Sequence, residues 1–152
     1  MGFIDYIVRE EAVVANLEAK SWEEAILKGG AQMVEKGSCT RDYLETIVRK
    51  CRDNGPYIVI APGIAMPHAR PEEGALKLGY SLVTLKEGVL SGERENDPIR
   101  LLIYLAAPSV KEHNEQAISQ VADLCDDEEA IEKILAAGSQ GEILEILKSL
   151  DL

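Results

Sequence analysis

The sequence is poor in histidine, in cysteine and in clustered positive charge. Of its 152 residues, two are His and three are Cys. Cys39, Cys51 and Cys125 are odd in number and widely separated, with no C-x-x-C pair. That excludes a disulfide framework and suits a reducing compartment. His68 and His113 lie far apart, with no H-x-x-x-H pair, so ligand spacing for a metal centre is missing. A metal centre is therefore not expected. No run of five or more Lys and Arg occurs, and 27 acidic residues outnumber 16 basic ones, for a formal net charge of −11. Nucleic acid and anionic lipid both bind through clustered Lys and Arg, so neither is an expected partner. Aromatic residues are few, and Trp22 and the tyrosines read as packing rather than as surfaces for stacking bases.

Long hydrophobic runs are also absent. The apolar stretches are short and broken, too short to span a bilayer. The start has no basic segment followed by an apolar stretch of signal-peptide length. A cytoplasmic protein, not itself embedded in a membrane, is the expectation. No repeat, low-complexity tract or linker divides the chain, so residues 1–152 read as a single domain. A domain of this size hides about two-thirds of its unfolded surface on folding. With 46% hydrophobic residues it can build its core without disulfide or metal.

Hydrophobic periodicity and punctuation supply the elements. Residues 3–11 suit a short helix and 12–18 a strand. Ser21, with Glu24 three residues on, opens a helix by a capping box, and Gly37 is a plausible stop. Thr40 caps the next helix, whose apolar stripe is Tyr43, Leu44, Ile47, Val48 and Cys51. Asn54-Gly55-Pro56 ends it. Residues 57–61 read as a buried strand. Residues 62–74 hold three prolines and two glycines and read as a loop. Strands follow at 79–85 and 99–106, the second entered through Asn96-Asp97-Pro98. From Lys111 to Cys125 the pattern is helical, with Ala117, Ile118, Val121, Ala122 and Cys125 on one face. A short helix from near Asp127 to Ala137 comes next, then a last one capped by Ser139 and Glu142. Helices flanking a few strands in mixed order imply an α/β layered domain with a mixed, mostly parallel sheet. Such sheets bind ligands in loops past the carboxyl ends of strands.

His68 lies in one such loop, with Arg70 two residues on. An imidazole has an ordinary pKa of about 6.5, so near neutral pH much of it is an unprotonated nucleophile. It can take a phosphoryl group and release it again. The group's anionic oxygens then need cationic or N–H donors, which Arg70 is placed to supply. Arg52, ahead of the strand that leads to the loop, is a second candidate. The alternatives remain a loop histidine bonded to a backbone carbonyl and a solvated surface arginine.

Gly63-Ile64-Ala65-Met66-Pro67-His68 resembles the G-x-A-x-P-H phosphorylation motif of the mannitol/fructose-type enzyme IIA family of sugar phosphotransferase systems. The longer run from Gly55 to Gly74 is similar to the ascorbate-class members. The resemblance extends over nearly the whole chain. It implies the mannitol-type enzyme IIA fold and a phosphocarrier that accepts a phosphoryl group from phospho-HPr on His68. The group then passes to a cysteine of a IIB component, and a membrane IIC permease imports the sugar. Mannitol-type members have an arginine sixteen positions before the active histidine, where Arg52 stands. A helix-end arginine that suits the helix dipole is the other reading of Arg52. The family's second histidine, at the start of a helix, is matched by His113, with the following acidic run offset by one residue. Ile64 and Met66 fit either a partner surface or packing beneath the loop. Two other functions stay open: a regulatory enzyme IIA-like domain that signals by its phosphorylation state, and a metal-dependent hydrolase built on both histidines. Onward transfer to IIB separates the first from transport, and metal content would expose the second.

Overall fold

A computed structural model describes residues 2–109 and 115–150. Helix α1 (Phe3–Glu10) leads into strand β1 (Val13–Leu17), with Glu11 in the left-handed region at φ 50°. Helices α2 (Trp22–Gly29), α3 (Ala31–Glu35) and α4 (Arg41–Asn54) follow. Then come β2 (Val59–Ala61), β3 (Ile64–Ala65), a 3₁₀ turn at Pro71–Glu73, β4 (Gly79–Val89) and β5 (Ile99–Ala106). The described part of α5 is Glu115–Asp126, and α6 (Glu128–Ala136) and α7 (Gln140–Lys148) complete the order.

The expected caps form. Ser21, Thr40 and Ser139 each accept a hydrogen bond from the amide three residues on, at 3.2 Å. These bonds satisfy amides that a helix start leaves without a partner. The returning Glu142 carboxylate reaches Gly138 N rather than Ser139 N, at 3.0 Å. Gly37, at φ 77°, follows α3 as expected, and Ser38 N reaches back to Met33 O at 2.9 Å.

The strands form one sheet in the order β1-β4-β5-β3-β2. β1 runs parallel to β4 and β3 parallel to β5, while β4–β5 and β2–β3 are antiparallel. The sheet is mixed, as expected, but not mostly parallel: two pairings are of each kind, because β4 and β5, and β2 and β3, follow one another and pair as antiparallel neighbours. Helices cover both faces. α1, α5, α6 and α7 pack with Tyr80, Leu82, Leu101, Ile103 and Leu105 on one side. α2 and α4 pack with Val83, Leu85, Leu102 and Tyr104 on the other. This alternation is why β4 and β5 read as nearly continuous apolar runs: both of their faces are inside.

Several boundaries differ from the sequence reading. The helix opened by Ser21 breaks at Gly30 into α2 and α3. The strand expected at 57–61 starts at Val59, and its Ile60 faces solvent. The expected loop at 62–74 contains β3 and the 3₁₀ turn, and β4 runs on to Val89. Among the described side chains of α5, from residue 118 on, the buried positions are Val121 and Leu124, whereas Ile118 and Ala122 are exposed. The start of the helix expected from Lys111, including His113, lies outside the described residues.

Gly29 shows how α2 meets the sheet. The Tyr104 hydroxyl donates toward the carbonyls of Ala25 (3.1 Å) and Ile26 (2.9 Å), and a Cβ at Gly29 would lie 2.5 Å from it. Gly29→Ala is expected to destabilise the protein by about 1–3 kcal/mol through overpacking. Gly141→Ala in α7, where the new methyl meets nothing closer than 4.0 Å, is expected to be neutral or slightly stabilising. Denaturant midpoints of the two variants check the contrast.

The turn before β5 is held by a carboxylate. Asp97 accepts from Ser91 N (2.9 Å), Ser91 Oγ (2.6 Å) and Gly92 N (3.0 Å). Burial alone would raise its pKa, but the Ser91 hydroxyl and the two amides outweigh it, so the carboxyl titrates below its ordinary value. A depressed folded pKa gives stability that is present above about 3.8 and lost as pH falls through the folded value. Asp97→Asn should therefore lower stability at neutral pH and flatten its decline below about pH 4, seen by thermal melts across pH.

Candidate functional site

The loop from Met66 to Glu73 is tied at nearly every residue. Met66 N donates to Ile58 O at 2.7 Å, and Pro67 O accepts from Leu105 N at 3.2 Å. Ala69 N donates to the Tyr43 hydroxyl at 3.0 Å, and that hydroxyl donates to Leu105 O at 2.9 Å, with Ala69 O also near, at 3.2 Å. Tyr43 is buried on α4, and burial pushes its phenol up to about 12 against the opposing bond from Ala69. It therefore stays a neutral bridge between loop and sheet. Tyr57 donates its hydroxyl to His68 O.

His68 itself is half-buried. Its Nδ1 lies 2.7 Å from Met66 O. A carbonyl only accepts, so Nδ1 carries the proton and, in the neutral ring, Nε2 keeps its lone pair. Tyr57 packs edge-to-face on the imidazole, with centroids 5.4 Å apart and planes at 83°. The ring thus has one nitrogen anchored, one wall of aromatic carbon and a backbone fixed on both sides.

An open groove of about 490 Å³ runs past it, lined by Lys50, Asn54, Tyr57, His68, Ala69, Arg70 and Pro71. Among the described residues two cations line it and no carboxylate does, in a chain of net charge −11. Glu73 Oε1 accepts from Arg70 N at 2.9 Å and pairs with the Lys50 ammonium. Burial pushes the Glu73 carboxyl upward, yet the bond from Lys50 and the Arg70 amide outweigh it and hold the group below its ordinary value.

The structure brings His68 and Arg70 together as expected. Arg52 is not among the groove-lining residues; its guanidinium pairs with Glu23 of α2 at 3.5 Å. His113 lies outside the described residues. Ile64 and Met66 are buried, so they pack beneath the loop and do not form a partner surface. Among the described residues no cluster of three or more His, Cys, Asp and Glu is placed to hold a metal. No helix among them is long and apolar enough to cross a membrane. Burial raises all three thiols to about 11, with a backbone bond from Ile58 opposing at Cys51 and the charge of Asp126 adding at Cys125. They sit mostly as thiols, weak nucleophiles.

Sequence reasoning missed Lys50, Asn54, Tyr57, Tyr43 and Glu73. Lys50 and Asn54 are one helical turn apart, and so are legible as one face of α4. Which loop that face meets is decided only in three dimensions.

The chain also matches known proteins over nearly its whole length. Residues 6–150 match the family "Phosphoenolpyruvate-dependent sugar phosphotransferase system, EIIA 2". The ascorbate-specific PTS system EIIA component of Escherichia coli K12 is 37% identical over 147 residues, covering 97% of this chain and 96% of that protein. The solution structure of the mannitol-specific cryptic phosphotransferase enzyme IIA from Escherichia coli superposes with a TM-score of 0.84 at 39% identity, over 97% of this chain and 98% of that one. The complex of enzyme IIAMTL and phosphorylated enzyme IIBMTL from Escherichia coli matches with a TM-score of 0.76 at 30% identity, over 92% of this chain and 96% of the other. This chain belongs to the EIIA type 2 family of the sugar phosphotransferase system, and it is a phosphotransfer component of such a system.

Tyr43→Phe tests how the loop is held. It removes the acceptor of the buried Ala69 amide and the donor to Leu105 O, and should cost about 1–3 kcal/mol. Faster hydrogen exchange at the Ala69 amide, with α4 otherwise protected, is the expected signature.

Proposed function

We propose that His68 is the phosphoryl carrier and that Nε2 is the atom that bears the group. The observation that carries this reading is the 2.7 Å contact between Nδ1 and Met66 O, which leaves Nε2 unprotonated beside a groove lined by cations. In the acceptance step the Nε2 lone pair forms a bond to the phosphorus of phospho-HPr. The donor's bond to phosphorus breaks, and the donor keeps that electron pair. In the onward step a IIB cysteine thiolate forms an S–P bond, and the N–P electrons return to Nε2. The family motif at Gly63–His68 and the likeness to an enzyme IIA caught with phosphorylated IIB support this order.

Arg70, in the groove wall, neutralises the transferred group. Arg52 is held by Glu23 and enters the site only by giving up that partner. His113 keeps the role the family resemblance implies, as a second histidine near the first. Residues 1–152 act as one EIIA domain in the cytoplasm, without metal or organic cofactor, and feed a membrane IIC permease through IIB. The 37% identity to ascorbate-specific relatives favours ascorbate-class uptake.

Incubation with phospho-HPr carrying labelled phosphate tests the reading. The wild-type protein should acquire an acid-labile, base-stable phosphate and pass it to a IIB cysteine, while His68→Ala acquires none. Label that survives the substitution would sink the assignment. Label on His68 that never moves to IIB would favour the regulatory role over transport.

A further inference from the structure

We propose that Lys50 supplies a second side-chain cation to the phosphoryl site and that Glu73 holds it in reserve until the group arrives. The inference rests on His68 being the carrier.

A phosphoryl group on an imidazole brings nearly two negative charges into a molecule that already carries −11. Arg70 lines the groove from the loop that bears His68. α4 contributes Lys50 and, one turn on, Asn54 to the same lining, both with N–H donors. The cation that sequence spacing offered, Arg52, is on the same helix but is turned to Glu23.

Lys50 is paired across the fold and not along its own helix. Its partner, Glu73, belongs to the 3₁₀ turn that closes the His68 loop. With side chains 29% and 20% exposed, this is the least exposed ion pair among the described residues. A well-shielded pair at the edge of a reactive groove is a candidate functional device. Glu73 would not be stranded if Lys50 left, because its Oε1 also accepts from Arg70 N at 2.9 Å. Lysine has a flexible stem and a compact charge, so it can exchange one anion for another without moving the backbone. A dianionic phosphoryl group attracts the ammonium more strongly than a single carboxylate at similar distance. Lys50 therefore favours the phosphorylated state, and Glu73 opposes it by competing for the same ammonium.

The two residues should act in opposite directions, which damage to the fold cannot imitate. The measurement is the equilibrium partition of labelled phosphate between HPr and this protein. Lys50→Gln should shift it toward HPr by roughly tenfold or more. Glu73→Gln keeps an acceptor for Arg70 N, and should shift the partition toward this protein by a few-fold. Lys50→Arg should stay near wild type. Lys133→Gln, the same charge change beside Glu129 on α6, should leave the partition unchanged. A wild-type partition in Lys50→Gln, or a shift of the same sign in Lys50→Gln and Glu73→Gln, overturns the proposal while leaving His68 as carrier. If Lys50→Gln does not fold, the direction of the Glu73→Gln shift decides. Label that persists in His68→Ala overturns both readings together.

Discussion

The parallel pairing of β3 with β5 ties Ile64 to Leu101 and Ala65 to Leu102, and the placement of His68 hangs from it. Two residues of strand would be marginal alone. They hold because the surrounding bonds extend the pairing: Gly63 O accepts from Arg100 N and Leu101 N, and Leu105 N reaches Pro67 O. Side chains alternate across this short strand, with Ile64 and Met66 entering one core and Ala65 and Ala69 the other. The loop that bears His68 is therefore anchored to both sides of the sheet before it reaches the surface. For the proposed carrier role this matters, since a ring that meets two partners in turn gains from being positioned in advance.

Electrostatics work against the site in bulk and for it locally. A net charge of −11 repels a phosphorylated donor at long range, and that repulsion is screened at physiological salt. Inside the groove the balance reverses, because among the described residues the side chains lining it include two cations and no carboxylate. The Glu73 carboxylate, on the loop beside the groove, is occupied by Lys50 and by the Arg70 amide. Charge at contact distance in a half-shielded groove outweighs charge spread over an exposed surface.

Membership of the EIIA type 2 family and the physical reading of the groove rest on different observations. The family match covers residues 6–150 and speaks for the whole chain. The geometry speaks for single atoms: a carbonyl on Nδ1, a phenol edge against the ring, and a backbone fixed by Tyr43 and Tyr57. The tyrosine contacts explain why two aromatic residues sit on α4 and just beyond it, when packing alone would accept aliphatic ones.

By itself the sequence determined the helix starts, the stripe of α4 and the two long buried strands, and it singled out His68 as the candidate site. Each of these depends on interactions among residues close in the chain: a cap oxygen with an amide three residues on, apolar side chains at helical spacing, a motif of six contiguous positions. Only tertiary structure decided the rest. That Ile64–Ala65 is a strand, that Gly29 must lack a side chain beneath Tyr104, that Ile64 and Met66 face inward, and that Lys50 instead of Arg52 lines the groove all depend on partners distant in sequence. Helical spacing places Lys50 and Asn54 on one face and Arg52 on another, but says nothing of what each face meets. The packing of α4 against the sheet and loop makes that choice, because its apolar stripe must be buried, and burying it turns Lys50 toward His68 and Arg52 toward Glu23.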